Sequence, residues 1–275
     1  MNIQGKTALV TGASRGIGRA IALELAHQGI RRIILSARNR QKLAEVATEI
    51  AALGVEVVPL CCDLTRPQEV SIAIAQAWKS HGPIHLLVNC AGVAHQAPFL
   101  KTRLPQVQAE IDTNLIGLYT VTRLVARRMA TQREGCIVNV SSLMGKVAAP
   151  TMATYSATKF AILGFSQALR HELAGHNVEV VALLPSLTDT DMVRHFDWFR
   201  GVVPMTPQQV AQALMRGLQQ GKSEIVVGWQ GRLALWCDRL APWFLNWMLR
   251  VTSPRIKRAE RSPKRFSTPL YQEGL

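Results

Sequence analysis

Six short β-rich runs recur between Lys6 and Leu184, and a helix-like stretch separates every pair. They are Lys6 to Val10, Ile33 to Ser36, Val55 to Leu60, Leu86 to Asn89, Cys136 to Ser141 and Val178 to Leu184. Parallel strands need a crossover, usually helical, so this alternation predicts an α/β fold with helices on both faces of a parallel sheet. Ile225 to Val227 offers a seventh strand. It follows a helix expected to begin near Thr206-Pro207, where threonine suits the cap and proline the first helical position. No Ser/Gly/Pro-rich linker divides residues 1–228, which are therefore read as one domain, with 229–275 as a basic amphipathic helical extension.

The chain of 275 residues is long enough to bury a substantial core. No stretch reaches the roughly 18 uninterrupted apolar residues of a membrane-spanning helix, so a soluble or peripheral protein is expected. Met1-Asn2-Ile3-Gln4-Gly5-Lys6 runs straight into the first strand without the apolar core of a secretory signal, and the expected compartment is the cytoplasm. Cys61, Cys62, Cys90, Cys136 and Cys237 form an odd set with no CxxC spacing, which fits reduced thiols and argues against a metal site. The net charge is +14, and nine Lys/Arg against three Asp/Glu fall from Trp229 onward. Such a tail can meet anionic lipid, nucleic acid or only water.

Thr11-Gly12-Ala13-Ser14-Arg15-Gly16-Ile17-Gly18 stands where the first strand must turn into the first helix. Gly12 permits the tight turn, Gly16 lets the backbone approach a pyrophosphate, and Gly18 allows close packing. The helix N-terminus supplies N–H groups to the anion. A glycine turn alone is a weak signal, and its place after the first strand of a βαβ pattern strengthens it.

Tyr155-Ser156-Ala157-Thr158-Lys159 sets a phenol and an ammonium four residues apart, on one face of a helix. A tyrosine near its ordinary pKa of about 10 is a poor acid–base group at neutral pH. A neighbouring cation is expected to draw that pKa down.

The TGxxxGxG loop and the YxxxK pair together resemble the short-chain dehydrogenase/reductase family, from Lys6 to about Val227. The resemblance implies a single-domain Rossmann fold and an NAD(P)-dependent oxidoreductase. It places Ser142, at the end of Val138-Asn139-Val140-Ser141-Ser142, in the family's catalytic serine position, able to donate to a substrate oxygen. Asn114, in Asp112-Thr113-Asn114-Leu115, matches the fourth catalytic member, which in the family holds a water linking Lys159 to solvent. The implied mechanism passes hydride from the nicotinamide to a carbonyl carbon while Tyr155 gives its proton, Ser142 stabilises the developing charge and Lys159 holds the ribose.

The same resemblance assigns cofactor contacts to Gly12, Ser14, Arg15, Gly16, Ile17 and Gly18 in the loop. It extends them to Arg38 after the second strand, Asp63 and Leu64 near the adenine, Asn89, Ala91 and Gly92 under the cofactor, Tyr155, Lys159, and Pro185 with Thr190 near the carboxamide. In the family an acidic residue ending the second strand binds the ribose of NAD. Here that strand ends Ser36-Ala37-Arg38-Asn39-Arg40, so a 2′-phosphate and NADP(H) are favoured, the alternative being that Arg38 and Arg40 begin a solvated helix. Two departures stand out: Cys90 replaces an asparagine of the family's NNAG, and Ser186 replaces the glycine of its PGxxxT.

Met192 to Met205, in the position of the family's substrate lid, contains Phe196, Trp198, Phe199, Val202 and Val203, which either line an apolar pocket or pack the core. In Arg232 to Arg250, Arg232, Arg239, Asn246 and Arg250 fall on a narrow stripe, while Leu233, Trp236, Leu240, Trp243, Phe244, Trp247 and Met248 fill the remainder. Pro242 is expected to split the segment into two helices. Peripheral contact with an anionic membrane through residues 229–265 is favoured over burial against a subunit, because Arg255, Lys257, Arg258, Arg261, Lys264 and Arg265 follow. Nucleic acid is disfavoured, since no recognised module accompanies the charge. The resemblance also implies a homo-oligomer. The expected activity is reduction of a lipophilic ketone, such as a 3-oxoacyl chain, a keto-sphingoid base or a steroid-like ketone. The competing expectation is a cofactor-binding sensor or scaffold of the same fold without turnover.

Overall fold

A computed structural model describes residues 2–197 and 201–252. Its strands are β1 Thr7–Thr11, β2 Arg32–Ala37, β3 Glu56–Cys61, β4 Leu86–Asn89, β5 Gly135–Val140, β6 Val178–Leu184 and β7 Glu224–Val226. They form one sheet in the order β3-β2-β1-β4-β5-β6-β7, and every pair is parallel. The chain works outward from β1 to β3, then returns to β4 on the other side of β1. Two crossovers therefore part between β1 and β4, and their carboxyl ends open the crevice where such sheets take ligands.

Successive strand residues face opposite sides of the sheet. Ala8 and Val10 of β1, Leu86 and Val88 of β4, and Cys136 and Val138 of β5 join one buried cluster with Ile21, Leu25 and Leu214. Leu9, Leu87 and Ile137 join the other, with Ile74, Val121 and Met129. The first layer is built by α1 Gly16–His27, α2 Arg40–Ala51 and α7 Pro207–Gln219; the second includes α3 Pro67–His81 and α5 Leu118–Gln132. Burying each such leucine or isoleucine contributes about 1.5–3 kcal/mol, which is why strands covered on both faces read as nearly continuous apolar runs.

The expected helix start at Thr206-Pro207 is present as a capping box. The Thr206 hydroxyl accepts from the Gln209 N–H at 3.2 Å, and the Gln209 side chain accepts from the Thr206 N–H at 2.9 Å. The remaining helices are α4 Leu104–Ile111, α6 Ala153–Ala174, α8 Trp229–Leu240 and α9 Pro242–Thr252. Between α4 and α5, Asp112–Gly117 is one π-helical turn, so the helix expected around Asn114 carries an inserted residue. α8 and α9 meet at Ala241, before Pro242, as the proline requires. Among the described residues no helix is long and apolar enough to cross a membrane, and the five cysteines are unpaired.

Candidate active site

At the carboxyl end of β1 the glycines have three different jobs. Gly12 has φ +69, a conformation L side chains avoid, and an added Cβ would lie 2.8 Å from the Ala91 Cα. Gly16, with φ +56, packs against the Thr190 methyl, which would sit 3.2 Å from a Cβ there. Gly18 has ordinary torsions, but its Cβ would collide with the Gly12 carbonyl oxygen, so any side chain would push α1 away from the turn. A bare backbone surface at a helix N-terminus results. It lies in a cleft of about 390 Å³ running from Ser36, Arg38 and Lys42 to Val140, Tyr155 and Lys159.

Of the residues assigned to a cofactor by resemblance, Gly12, Ser14, Arg15, Gly16, Ile17, Gly18, Arg38, Asp63, Leu64, Ala91, Gly92, Tyr155, Lys159 and Thr190 all line this cleft. Asn89 and Pro185 do not. The Asn89 amide turns into the core, donating to Thr122 Oγ1 at 2.8 Å and Asn139 Oδ1 at 2.9 Å, and Asn139 donates on to Ser166 at 2.9 Å. Support for the central strands thus comes from Asn89 and Asn139, whereas Cys90 faces the cleft, its thiol pushed up to about 12 by burial and so kept neutral. Pro185 is buried, and its carbonyl accepts from the Leu143 N–H at 2.8 Å. Ser186 has no positive φ, so this backbone never needs the glycine it replaces.

Several contributors were missed. Thr11 Oγ1 accepts from the N–H groups of Cys90 and Ala91 at 3.0 and 3.2 Å, fixing the turn after β4. Lys42 adds a cation beside Arg38, and Thr113, Val93 and Met192 line the other end. Lys42 sat one turn into a helix whose exposed face looked merely solvated. Asn139 carried a readable signal, a polar residue inside the apolar run Cys136 to Val140.

Around Tyr155 the chain is closely braced. Ser141 Oγ donates to the Lys159 carbonyl at 2.8 Å. The turn Leu143–Gly145 packs so tightly on α6 that a Cβ at Gly145 would lie 2.7 Å from that same oxygen. These contacts hold β5 against α6 and bring Ser142 to Tyr155. The Ser142 hydroxyl accepts from the Met144 N–H at 3.1 Å and is hydrogen-bonded to the phenol. Lys159 Nζ lies 5.5 Å from the centre of the Tyr155 ring and donates to the Val140 carbonyl at 3.0 Å.

The electrostatics reverse the expectation that Lys159 draws the phenol down. Burial dominates both groups. It pushes Tyr155 up to about 12, against a smaller opposing effect of the Ser142 hydrogen bond, with Glu110 and, once it ionises, Cys90 adding to the rise. It pushes Lys159 down to about 8. An ammonium that has lost its own solvation is held less firmly in its charged form, and a phenol lacking solvent resists ionising. Glu110 is itself almost wholly buried, accepting from the His95 N–H at 2.5 Å; desolvation raises its pKa, and His95 opposes that.

Asn114 is 0% exposed, so its amide is directed into the protein and not to solvent. Its Oδ1 accepts from the Val93 N–H at 2.8 Å, and its Nδ2 donates to the Val93 carbonyl at 2.9 Å and to Thr158 at 3.1 Å. It clamps the strand-end segment that forms one wall of the cleft. Gly92 lies between: a Cβ there would be 3.2 Å from Asn114 Oδ1 and 3.7 Å from Lys159 Nζ. The π-helical turn sets this geometry, and Gly117 within it admits Leu64, whose Cβ would stand 2.8 Å from one on the glycine. Of the lid residues, Trp198 and Phe199 lie outside the described residues, while Phe196 and Val202 are half-buried and Val203 is exposed.

The short chain dehydrogenase family matches residues 6–198 of this sequence. The chain belongs to that family. As a short-chain dehydrogenase it is an oxidoreductase, and its seven-stranded parallel fold is that of its structural neighbours. Among its relatives is a 3-oxoacyl-[acyl-carrier-protein] reductase from Synechocystis, 35% identical over 195 residues, covering 71% of this chain and 79% of that protein. A short-chain dehydrogenase from Burkholderia cenocepacia solved with NADP superposes with a TM-score of 0.80 at 29% identity, covering 92% of this chain and 100% of that one. Another from Sphingobium yanoikuyae, in complex with NADPH, gives 0.76 at 27% identity, covering 94% and 100%. The bare glycine surface and the cations at its far end fit a nicotinamide dinucleotide.

Proposed function

We propose that this short-chain dehydrogenase is an NADP(H)-dependent ketoreductase that converts a lipophilic ketone to a secondary alcohol. The observation that carries the reading is the meeting of Tyr155 and Lys159 in the cleft, with the Lys159 Nζ 5.5 Å from the centre of the phenol ring. Raised to about 12 and hydrogen-bonded to Ser142, Tyr155 is a phenol across the neutral range, and a phenol can give a proton to an oxygen that gains charge. A cofactor held along Gly12, Gly16, Gly18, Gly92 and Lys159 would supply the hydride for the carbonyl carbon. The carbonyl π-electrons move to the oxygen, Ser142 donates a hydrogen bond to it, and Tyr155 protonates it. The resulting phenolate lies near Lys159, whose ammonium stabilises it before it is reprotonated.

Preference for a 2′-phosphate rests on Arg38, Lys42 and Arg15 around the Ser14 end of the cleft, with no carboxylate ending β2. Arg15 also lies 3.6 Å from Asp191, which leaves Arg38 and Lys42 as the firmer assignment. The NADP and NADPH complexes of the Burkholderia and Sphingobium proteins support the preference. A lipophilic substrate is supported by Val93 and Met192 in the cleft and by the acyl-chain chemistry named for the Synechocystis relative.

The test is Tyr155→Phe. It removes one hydroxyl, so NADPH affinity should stay within a few-fold of wild type while ketone reduction falls by at least about 100-fold, the loss expected of a general acid. A near-normal rate would sink the role of Tyr155. Wild-type protein that binds NADPH but reduces no 3-oxoacyl thioester or other hydrophobic ketone would favour the sensor reading.

A further inference from the structure

We propose that the α8–α9 face, with the cationic groove beside it, docks the protein on the surface of an anionic phospholipid bilayer. In α8, Trp229, Leu233, Trp236 and Leu240 are four, three and four residues apart, so they form one stripe along the helix. All four face solvent, at 71%, 54%, 64% and 72% exposure. Gly231, on the opposite side, is buried near Val226, Leu143 and Ser186 and fixes that side against the body. The pattern repeats in α9. Trp243, Trp247 and Val251 are exposed, while Leu245 is the buried residue. An apolar surface of this extent, rimmed by charge, marks an interaction site.

Charge identifies the occupant. Arg232 and Arg239 flank the tryptophan stripe of α8. With Arg216 and Lys222 they line a groove of about 900 Å³ between α7, β7 and α8, which Trp229 and Trp236 also border. None of these four side chains has a hydrogen-bond or ion-pair partner among the described residues. The acid in the groove wall, Glu224, is taken by Lys146 at 2.6 Å. Indole rings with unpaired guanidinium and ammonium groups alongside match the boundary of an anionic bilayer, where rings enter the acyl–headgroup zone and cations meet phosphates. In sequence, Arg255, Lys257, Arg258, Arg261, Lys264 and Arg265 follow at once, with Glu260 the acid among them. A second copy is the poorer occupant, because a two-fold contact would set the same unpaired cations against one another.

The face is also tied to the segment between β6 and α7. Gln230, in the first turn of α8, accepts from the Val203 N–H and donates to the Gly201 carbonyl, each at 3.2 Å, and this segment leads back to Thr190. The proposal itself does not depend on the identity of the substrate.

The experiment is sedimentation of the full chain with two kinds of vesicle, one of phosphatidylcholine alone and one of equal parts phosphatidylcholine and phosphatidylglycerol. Binding is expected to the mixed vesicles only. Arg216→Gln, Arg232→Gln and Arg239→Gln combined should weaken it about 100-fold, since each basic residue near the surface contributes about fivefold. Trp236→Ser, Trp243→Ser and Trp247→Ser combined should abolish it. Circular dichroism melting of each variant verifies that the domain remains folded, and single substitutions replace any combination that does not. Absence of wild-type binding, or equal binding by folded variants, overturns the proposal. So does a gel-filtration shift from oligomer to monomer in the tryptophan variant without vesicles, which would give the face to a second copy.

Discussion

At Lys159 two demands on one side chain conflict. The ammonium must sit beside the Tyr155 ring, and that place is 5% exposed and pushes its pKa down from 10.5 to about 8. A base whose folded pKa is depressed is penalised wherever it stays charged in the unfolded chain. Below about pH 8 both states carry the proton and the folded state bears the whole cost. Between about 8 and 10.5 the folded state releases the proton first, so wild-type stability rises with pH across that window. Lys159→Met should therefore raise the melting temperature at pH 7 by several degrees, worth about 1–3 kcal/mol after loss of the Val140 hydrogen bond is offset. The gain should shrink as pH climbs from 8 toward 10.5, while NADPH-dependent reduction is lost throughout. Thermal melts of both proteins from pH 6 to 10 check this, and a variant less stable at every pH would refute it. The neighbouring phenol has the opposite sign. With Tyr155 near 12, reduction should be flat across neutral pH, whereas oxidation of the alcohol, which needs the phenolate, should keep rising into the alkaline range.

At the scale of elements, the NADP(H) preference proposed above rests on the junction between β2 and α2. Arg38 leaves the strand end exposed, Asn39 caps the helix by accepting from the Lys42 N–H at 2.9 Å, and that cap sets Lys42 beside the cleft. Arg38→Asp exchanges a guanidinium for a carboxylate at the ribose end. The KM for NADPH should rise by about 10- to 100-fold, the range of one or two charge-assisted hydrogen bonds, while the KM for NADH changes little or falls. Steady-state kinetics with both cofactors decide it, and an unchanged ratio would remove Arg38 from the phosphate site. The strand order and the glycine turn were legible because both follow from local pattern: alternating apolar runs, and a turn no other residue can make at Gly12. Arg38 was legible too, since it stands at a strand end. Lys42 was not, because a lysine one turn into a helix looks the same whether it faces water or a cleft. The π-helical turn at Asp112–Gly117 was hidden for a related reason. Its cause is tertiary, the clamp of Asn114 on Val93 and the approach of Leu64 to Gly117, and helical periodicity carries no trace of either. The buried network of Asn89 and Asn139 escaped notice because the motif around Asn89 drew attention to the cofactor, while side-chain direction depends on the neighbouring strand.

The whole molecule carries a net charge of +14, so a homodimer and the proposed membrane docking would respond to salt in opposite ways. Away from α8–α9, Ile116 and Tyr119 are 45% and 53% exposed, and Tyr119 packs on Phe165 at 5.7 Å, joining this apolar surface to α6, where Phe160 is 44% exposed. Two such faces related by a two-fold axis would bury apolar area on both copies, and a homodimer formed there is the expected oligomer. Bringing two +14 chains together costs repulsion, which salt screens, so dimerisation should tighten as ionic strength rises. Docking on phosphatidylglycerol is an attraction between opposite charges and should weaken over the same range. Ile116→Glu with Tyr119→Glu should give a monomer by light scattering at every salt concentration and leave vesicle binding intact. The tryptophan variants of α8 and α9 should do the reverse. If the glutamate pair also releases the protein from vesicles, or if dimer and vesicle binding weaken together with salt, one surface serves both associations and the separation argued from exposed residues fails.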